Sequence, residues 1–253
     1  PENPFKVCYA YTVEGCSAEP IIVPLPPGDP APSTPPDPGT GVYLNKDFSD
    51  GILYPFRILT YPNEHPGDLM VQYGKFYADM VSVHDGYLDL QCVRQPDNTW
   101  RMSFVGTGRD GHGGEATFKF QYGISSVKAR MNHGVGSWQG AWYLIADAWT
   151  APEIDWPEVI GQRYTANLHG STSDGQYASE AMFDPSEWHV YTMVKDPSYI
   201  AFQLDGVEVG RANLTMTANM GLLADAKVGL SAPNSTTPSP LYIHIAWWTV
   251  DPL

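Results

Sequence analysis

Three carboxylates fall within one hexapeptide, Glu153-Ile154-Asp155-Trp156-Pro157-Glu158. The segment otherwise reads as a buried strand. Gathering like charges away from water costs stability, so such a cluster needs a use. Two carboxyl groups about 5–5.5 Å apart can cleave a glycosidic bond with retention. One attacks the anomeric carbon while ionised; the other protonates the leaving oxygen and then deprotonates a water. Glu153 is the candidate nucleophile, Glu158 the candidate acid/base, and Asp155 the acid between them that tunes Glu153. Repulsion within the row is expected to raise the apparent pKa of at least one member and keep Glu158 protonated near neutral pH. The plainer alternative is a solvated strand face in a chain with 28 acidic residues.

The spacing decides which side chains can meet. Strand side chains alternate faces, so Glu153 and Asp155 share one, and Pro157 would be next. One extra residue, a β-bulge, shifts the phase and brings Glu158 round to join them. Proline suits a bulge because it donates no ladder hydrogen bond. Ile154 then points into a core.

Aromatic residues crowd the same region: Trp138, Trp142, Tyr143, Trp149, Trp156 and Tyr164. Sugar rings stack their C–H faces on such rings while their hydroxyls hydrogen-bond nearby. Trp138, Trp142, Trp149, Trp156 and Tyr164 are the candidate stacking residues, and His169 is a candidate partner for an acid or a sugar hydroxyl. A metal site built from Glu153, Asp155, Glu158 and His169 ranks last, because no EF-hand or two-histidine spacing supports it. No metal ligand is assigned.

The elements that position these groups read as strands. Tyr87–Cys92 follows the turn Asp85-Gly86, and Thr117–Tyr122 alternates. Trp188, Val190, Thr192 and Val194 share a face. Tyr199–Leu204 runs through Asp205-Gly206 into Val207–Val209, a hairpin signal because Asp-Gly supplies positive φ. Tyr242–Val250 is a closing apolar strand. No helical periodicity or repeat stands out. The pattern predicts an all-β fold, a jelly-roll sandwich of two antiparallel sheets, over residues 42–253.

Ahead of it, residues 24–41 hold eight prolines in eighteen positions. They form a linker that favours extended polyproline conformation. Residues 1–23 form a short arm, or the end of an upstream domain, through which the unit could join a larger assembly. Cys8 and Cys16 lie close enough in sequence to pair, which leaves Cys92 over. The 253-residue chain is 43% hydrophobic and 17% charged, a globular composition. Its net charge of -14 opposes nucleic acid and anionic membranes as partners but not a neutral glycan. No apolar run is long enough for a membrane-spanning helix.

Gly136-Ser137-Trp138-Gln139-Gly140-Ala141-Trp142, then Trp149, then the acid hexapeptide, then His169-Gly170, resembles glycoside hydrolase family 16. That family includes laminarinases, lichenases, agarases and carrageenases. Tyr122-Gly123, Lys128–Met131, Trp188–Tyr191, Leu204–Gly206 and Ala246–Val250 extend the likeness over most of residues 42–253. The resemblance implies a concanavalin A-like jelly roll and a retaining mechanism. It also implies Glu153 as nucleophile, Asp155 as its assistant and Glu158 as acid/base. Many members carry a structural calcium on the convex side; no cluster here marks one, and no cofactor is required for the chemistry. The chain departs from the family in having Pro152 for glycine, Pro157 for an apolar residue such as methionine, Lys128 for glutamate, and Gln139-Gly140 for Pro-Ala.

The expected function is that of an endo-acting retaining glycosidase on a β-linked polysaccharide, laminarin-like or mixed-linkage, outside the cell or on a cell or virion surface. The competing expectation is a non-catalytic glycan-binding or adhesion domain of a modular surface or phage tail protein.

Overall fold

A computed structural model describes residues 43–59, 73–108, 115–146, 151–161, 163–170, 175–178, 183–229 and 231–253. The arm, the linker, the Cys8 and Cys16 pair and Trp149 lie outside these residues.

Two antiparallel layers form a jelly-roll sandwich. One layer runs β11 (Gly175–Ala178), β10 (Arg163–His169), β9 (Glu153–Ile160), β8 (Ser137–Ile145), β15 (Met220–Val228), β6 (Trp100–Gly106). The other runs β5 (Tyr87–Arg94), β16 (Leu241–Asp251), β7 (Gly123–Met131), β12 (His189–Lys195), β13 (Ile200–Leu204), β14 (Val207–Ala212). Pairing of β5 with β6 joins the layers along one edge. Four short strands complete the edges: β1 (Leu44–Lys46), β2 (Arg57–Ile58), β3 (Gly74–Phe76) and β4 (Val81–His84). Among the described residues no helix is long and apolar enough to cross a membrane.

The expected alternation is visible in β15. Met220, Leu222, Ala224, Ala226 and Val228 enter the shared core. Leu223, Asp225 and Lys227 take the other face, yet they too are buried. Both Asp-Gly turns form as anticipated. Asp85-Gly86 links β4 to β5 with φ of 51° and 77°, and Asp205-Gly206 links β13 to β14 with φ of 49° and 81°. These left-handed pairs match the twist of the strands they join.

One expected strand is absent. Thr117–Tyr122 contributes a single bridge, Phe120 to Met220. The backbone N–H groups of Thr117 and Phe118 both turn to the Thr107 carbonyl, which breaks a ladder before it can start.

Trp156 corrects a further expectation. It is 1% exposed and lies between the layers, edge-on to Tyr191 at 5.7 Å and beside Phe202 at 5.9 Å. Its Nε1 donates to the Gln203 carbonyl across the core at 3.1 Å. It therefore presents no ring to a ligand. Tyr164 is corrected likewise. It shares the inward face of β10 with Ala166 and Leu168 and packs on Phe183 at 5.0 Å. The even spacing that carries Tyr164 inward carries Thr165, Asn167 and His169 outward.

Candidate active site

The acid row sits on the outer face of β9. Between Glu158 and Asp155 the strand has one residue more than its neighbours on both sides. Gly140 and Trp142 of β8 face Glu158 and Asp155, and so do Thr165 and Asn167 of β10. This is the bulge that the sequence predicts. Trp156 and Pro157 absorb the extra residue, and Glu158 emerges on the same face as Glu153 and Asp155. Ile154 and Val159 point into the core.

Gly140 makes the bulge possible. A Cβ there would lie 2.2 Å from the Pro157 carbonyl oxygen and 3.2 Å from the Glu158 Cα. Two departures from the family pattern, glycine on β8 and proline on β9, thus face each other in direct contact.

Glu158 is held on both oxygens. The Trp138 indole Nε1 donates to Oε1 at 2.7 Å, and the Asn167 amide donates to Oε2. Asn167 also donates to Thr165 Oγ1 at 2.8 Å, which fixes the amide's orientation. Asp155, 1% exposed, meets His169 Nε2 at 3.0 Å through Oδ2. His169 itself is more than half exposed.

The electrostatics follow from this packing. Burial drives the Asp155 carboxyl well above the usual range, and the Glu153 and Glu158 charges add to the rise. Burial also raises Glu153, while a hydrogen bond from Asp155 and the Lys227 charge draw it back. A hydrogen bond between two carboxyl groups requires one proton, and Asp155 is the better holder of it. The expected rise within the row thus falls on Asp155 above all. The bond to Asp155 lifts the His169 imidazole to about 9. Asp155 is pulled in opposite directions: His169 favours its ionised form, Glu153 its protonated form. The Asp155 carboxyl is fully buried, and that burial outweighs the pull of His169.

Sequence reasoning missed four residues that complete the site. Thr165 and Asn167 bind Glu158; their signal is the period-two run Thr165-x-Asn167-x-His169. Asp225 and Lys227 of β15 face Gly140 and Trp138 of β8. Their signal is an acid and a base at alternate positions inside an otherwise apolar strand.

Trp138 and Trp142 share the acid face, with ring centroids 5.6 Å apart and planes tilted by 32°. Trp138 is half-buried and Trp142 nearly covered. Together they are the aromatic surface beside the acids among the described residues.

Asp155, Glu158 and His169 also bring one possible ligand atom each within 4.8 Å of one another. The hydrogen bond between His169 and Asp155 and the two donors on Glu158 account for that closeness, so we assign them no ion. Among the described residues no other group of three His, Cys, Asp or Glu side chains is so gathered. Among the described residues the opposite layer shows no such side-chain cluster.

Solved structures share this architecture at low sequence identity. The laminarinase catalytic domain from Thermotoga maritima MSB8 is 18% identical, with a TM-score of 0.69, covering 84% of this chain and 98% of that one. LamAcat from Zobellia galactanivorans is 16% identical, with a TM-score of 0.68 and coverage of 84% and 98%. A structure described with endo-acting O-glycanases of the human gut microbiota that initiate mucin breakdown is 18% identical, with a TM-score of 0.65 and coverage of 84% and 99%. No curated protein sequence matches the chain. These likenesses establish the jelly roll, and the acid row lies on β9 within the segment 73–235 that matches the glycosyl hydrolases family 16 pattern. That segment is more than half of the sequence, and the chain belongs to that family.

Proposed function

We propose that the protein is an endo-acting, retaining glycoside hydrolase of β-linked polysaccharide, a laminarin-like or mixed-linkage glucan. The observation that carries this reading is the bulge, which puts Glu158 beside Asp155 and Glu153 on one face. Glu153, ionised, attacks the anomeric carbon as the bond to the leaving oxygen breaks, and that oxygen takes the Glu158 proton. Water then gives a proton to Glu158 and displaces Glu153, which leaves the product with its starting anomeric configuration. Asp155 holds a proton toward Glu153 and steadies its charge. His169 orients Asp155.

Trp138 is the stacking platform next to the acid/base. Its contact with Glu158 couples sugar binding to the orientation of that carboxyl. The structural neighbours, endo-β-1,3-glucanases and mucin-degrading O-glycanases among them, favour β-1,3-glucan first and mucin O-glycans second. A polymer substrate of this kind suits action outside the cell or at a cell or virion surface.

The test is reducing-sugar release from laminarin, mixed-linkage glucan and mucin, with anomeric NMR of the products. Turnover with retention in the wild type and its loss in Glu153→Gln support the proposal. Equal activity in both overturns it. Binding of a glycan without turnover by the wild type makes the protein an adhesion domain instead.

A further inference from the structure

Lys227 has no part in the chemistry proposed above, yet it is the most tightly enclosed cation of the acid face. Its side chain is 1% exposed. Nζ lies 2.5 Å from Asp225 Oδ2, 3.4 Å from the centre of the Trp142 ring and 4.0 Å from that of Trp138. An ammonium removed from water needs compensation, and here two indole faces and one carboxylate supply it. Asp225 is equally buried, and its second oxygen, Oδ1, meets no donor among the described residues.

The pair is built into the cross-strand register. Lys227 stands opposite Trp138 and Asp225 opposite Gly140, whose other neighbour is Glu158. Gly140 has no side chain, so nothing from β8 stands between the carboxyls of Asp225 and Glu158. Trp138 in turn donates to Glu158. A continuous path therefore runs from Asp225 through Lys227 and Trp138 to the acid/base candidate.

We infer that Lys227 is a positioning residue of the acid row, clamping the Trp138 and Trp142 indoles and supplying the positive charge that lets Glu153 ionise among its acidic neighbours. This deepens the proposed function, since it rests on Glu153 as the nucleophile. The charged groups that bear on Glu153 are Asp155 and Glu158 from β9, His169 from β10 and Lys227 from β15, with Asp225 beside Lys227 and Arg163 of β10 on the same outward phase as Thr165. From β8, Trp138, Gly140 and Trp142 bring none. His169 is engaged with Asp155. Lys227 Nζ sits over the Trp142 ring, and Trp142 stands opposite Asp155 in the register, so the lysine's charge reaches the row and lowers Glu153's affinity for a proton. Burial pushes the Asp225 carboxyl up to about 7, so below neutral pH its charge offsets Lys227 only in part.

The experiment compares Lys227→Met and Lys227→Arg with the wild type in the full chain. Carboxyl NMR with 13C-labelled glutamate, assigned with Glu153→Gln, reads the Glu153 midpoint directly. The acid limb of kcat/KM on laminarin reads it through activity. Lys227→Met should raise both by about one pH unit. Lys227→Arg, which keeps the charge, should leave them near the wild type. Should Lys227→Met fail to fold, Asp225→Asn with Lys227→Met removes both buried charges together; because Asp225 offsets part of the Lys227 charge, the Glu153 midpoint should still rise, by less than in Lys227→Met alone. A lower Tm with an unmoved Glu153 midpoint would make the pair a purely structural ion pair and overturn the inference. If the wild type cleaves no polysaccharide, the function proposal fails, while the NMR midpoint still decides the role of Lys227.

Discussion

Replacing Gly140 with alanine tests the geometry on which the site depends. The added Cβ would lie 2.2 Å from the Pro157 carbonyl oxygen. An ordinary contact of this kind is about 3.4 Å, so roughly 1.2 Å must be found. The obstructing atom is backbone, and proline has little freedom in φ to move it aside. The bulge itself must retreat, and it carries Glu158, whose Cα is 3.2 Å from the same Cβ. Overpacking of this kind costs about 1–3 kcal/mol. A displacement near 1 Å at a reacting group costs about 10²-fold in rate. Gly140→Ala should therefore lower the urea midpoint modestly and kcat/KM on the accepted glucan by about two orders of magnitude. Pro157→Met in the same chain frees φ at the bulge and restores the pairing common in the family. The double variant should recover part of both losses, a coupling that a double-mutant cycle measures. A Gly140→Ala protein with unchanged stability and unchanged kcat/KM would refute the argument that this contact sets the position of Glu158.

His169→Ala should lower stability most in acid. The folded imidazole titrates near 9 against 6.5 for the ordinary group, so its contribution is full below pH 6.5 and is lost as pH rises through 9. More than half the side chain meets water, which screens the pair to about 1 kcal/mol. Thermal denaturation of the two proteins across that pH range checks this, and a difference that grows toward pH 9 contradicts it. Trp156→Ala should cost about 3–5 kcal/mol in urea denaturation, because the ring fills the core between the layers. A raised KM with unaltered stability would return Trp156 to the binding surface.

The chain's linear pattern was enough for the all-β class, the two Asp-Gly hairpins and the proline-marked bulge. Each of these depends on neighbours within a few residues: period-two alternation, a dipeptide that tolerates positive φ, a residue that cannot join a ladder. The same local rule was insufficient for the aromatics. Trp138 and Trp156 look alike in sequence, yet one meets Glu158 and the other Gln203 across the core. Only the phase of each strand against its bulge separates them. Lys227 and Asp225 lie about seventy residues beyond the acids, and nothing nearby in sequence marks them as partners of Glu158. Pairing of β15 with β8 brings them there, because a sheet sets its neighbours by hydrogen-bond register rather than by distance along the chain.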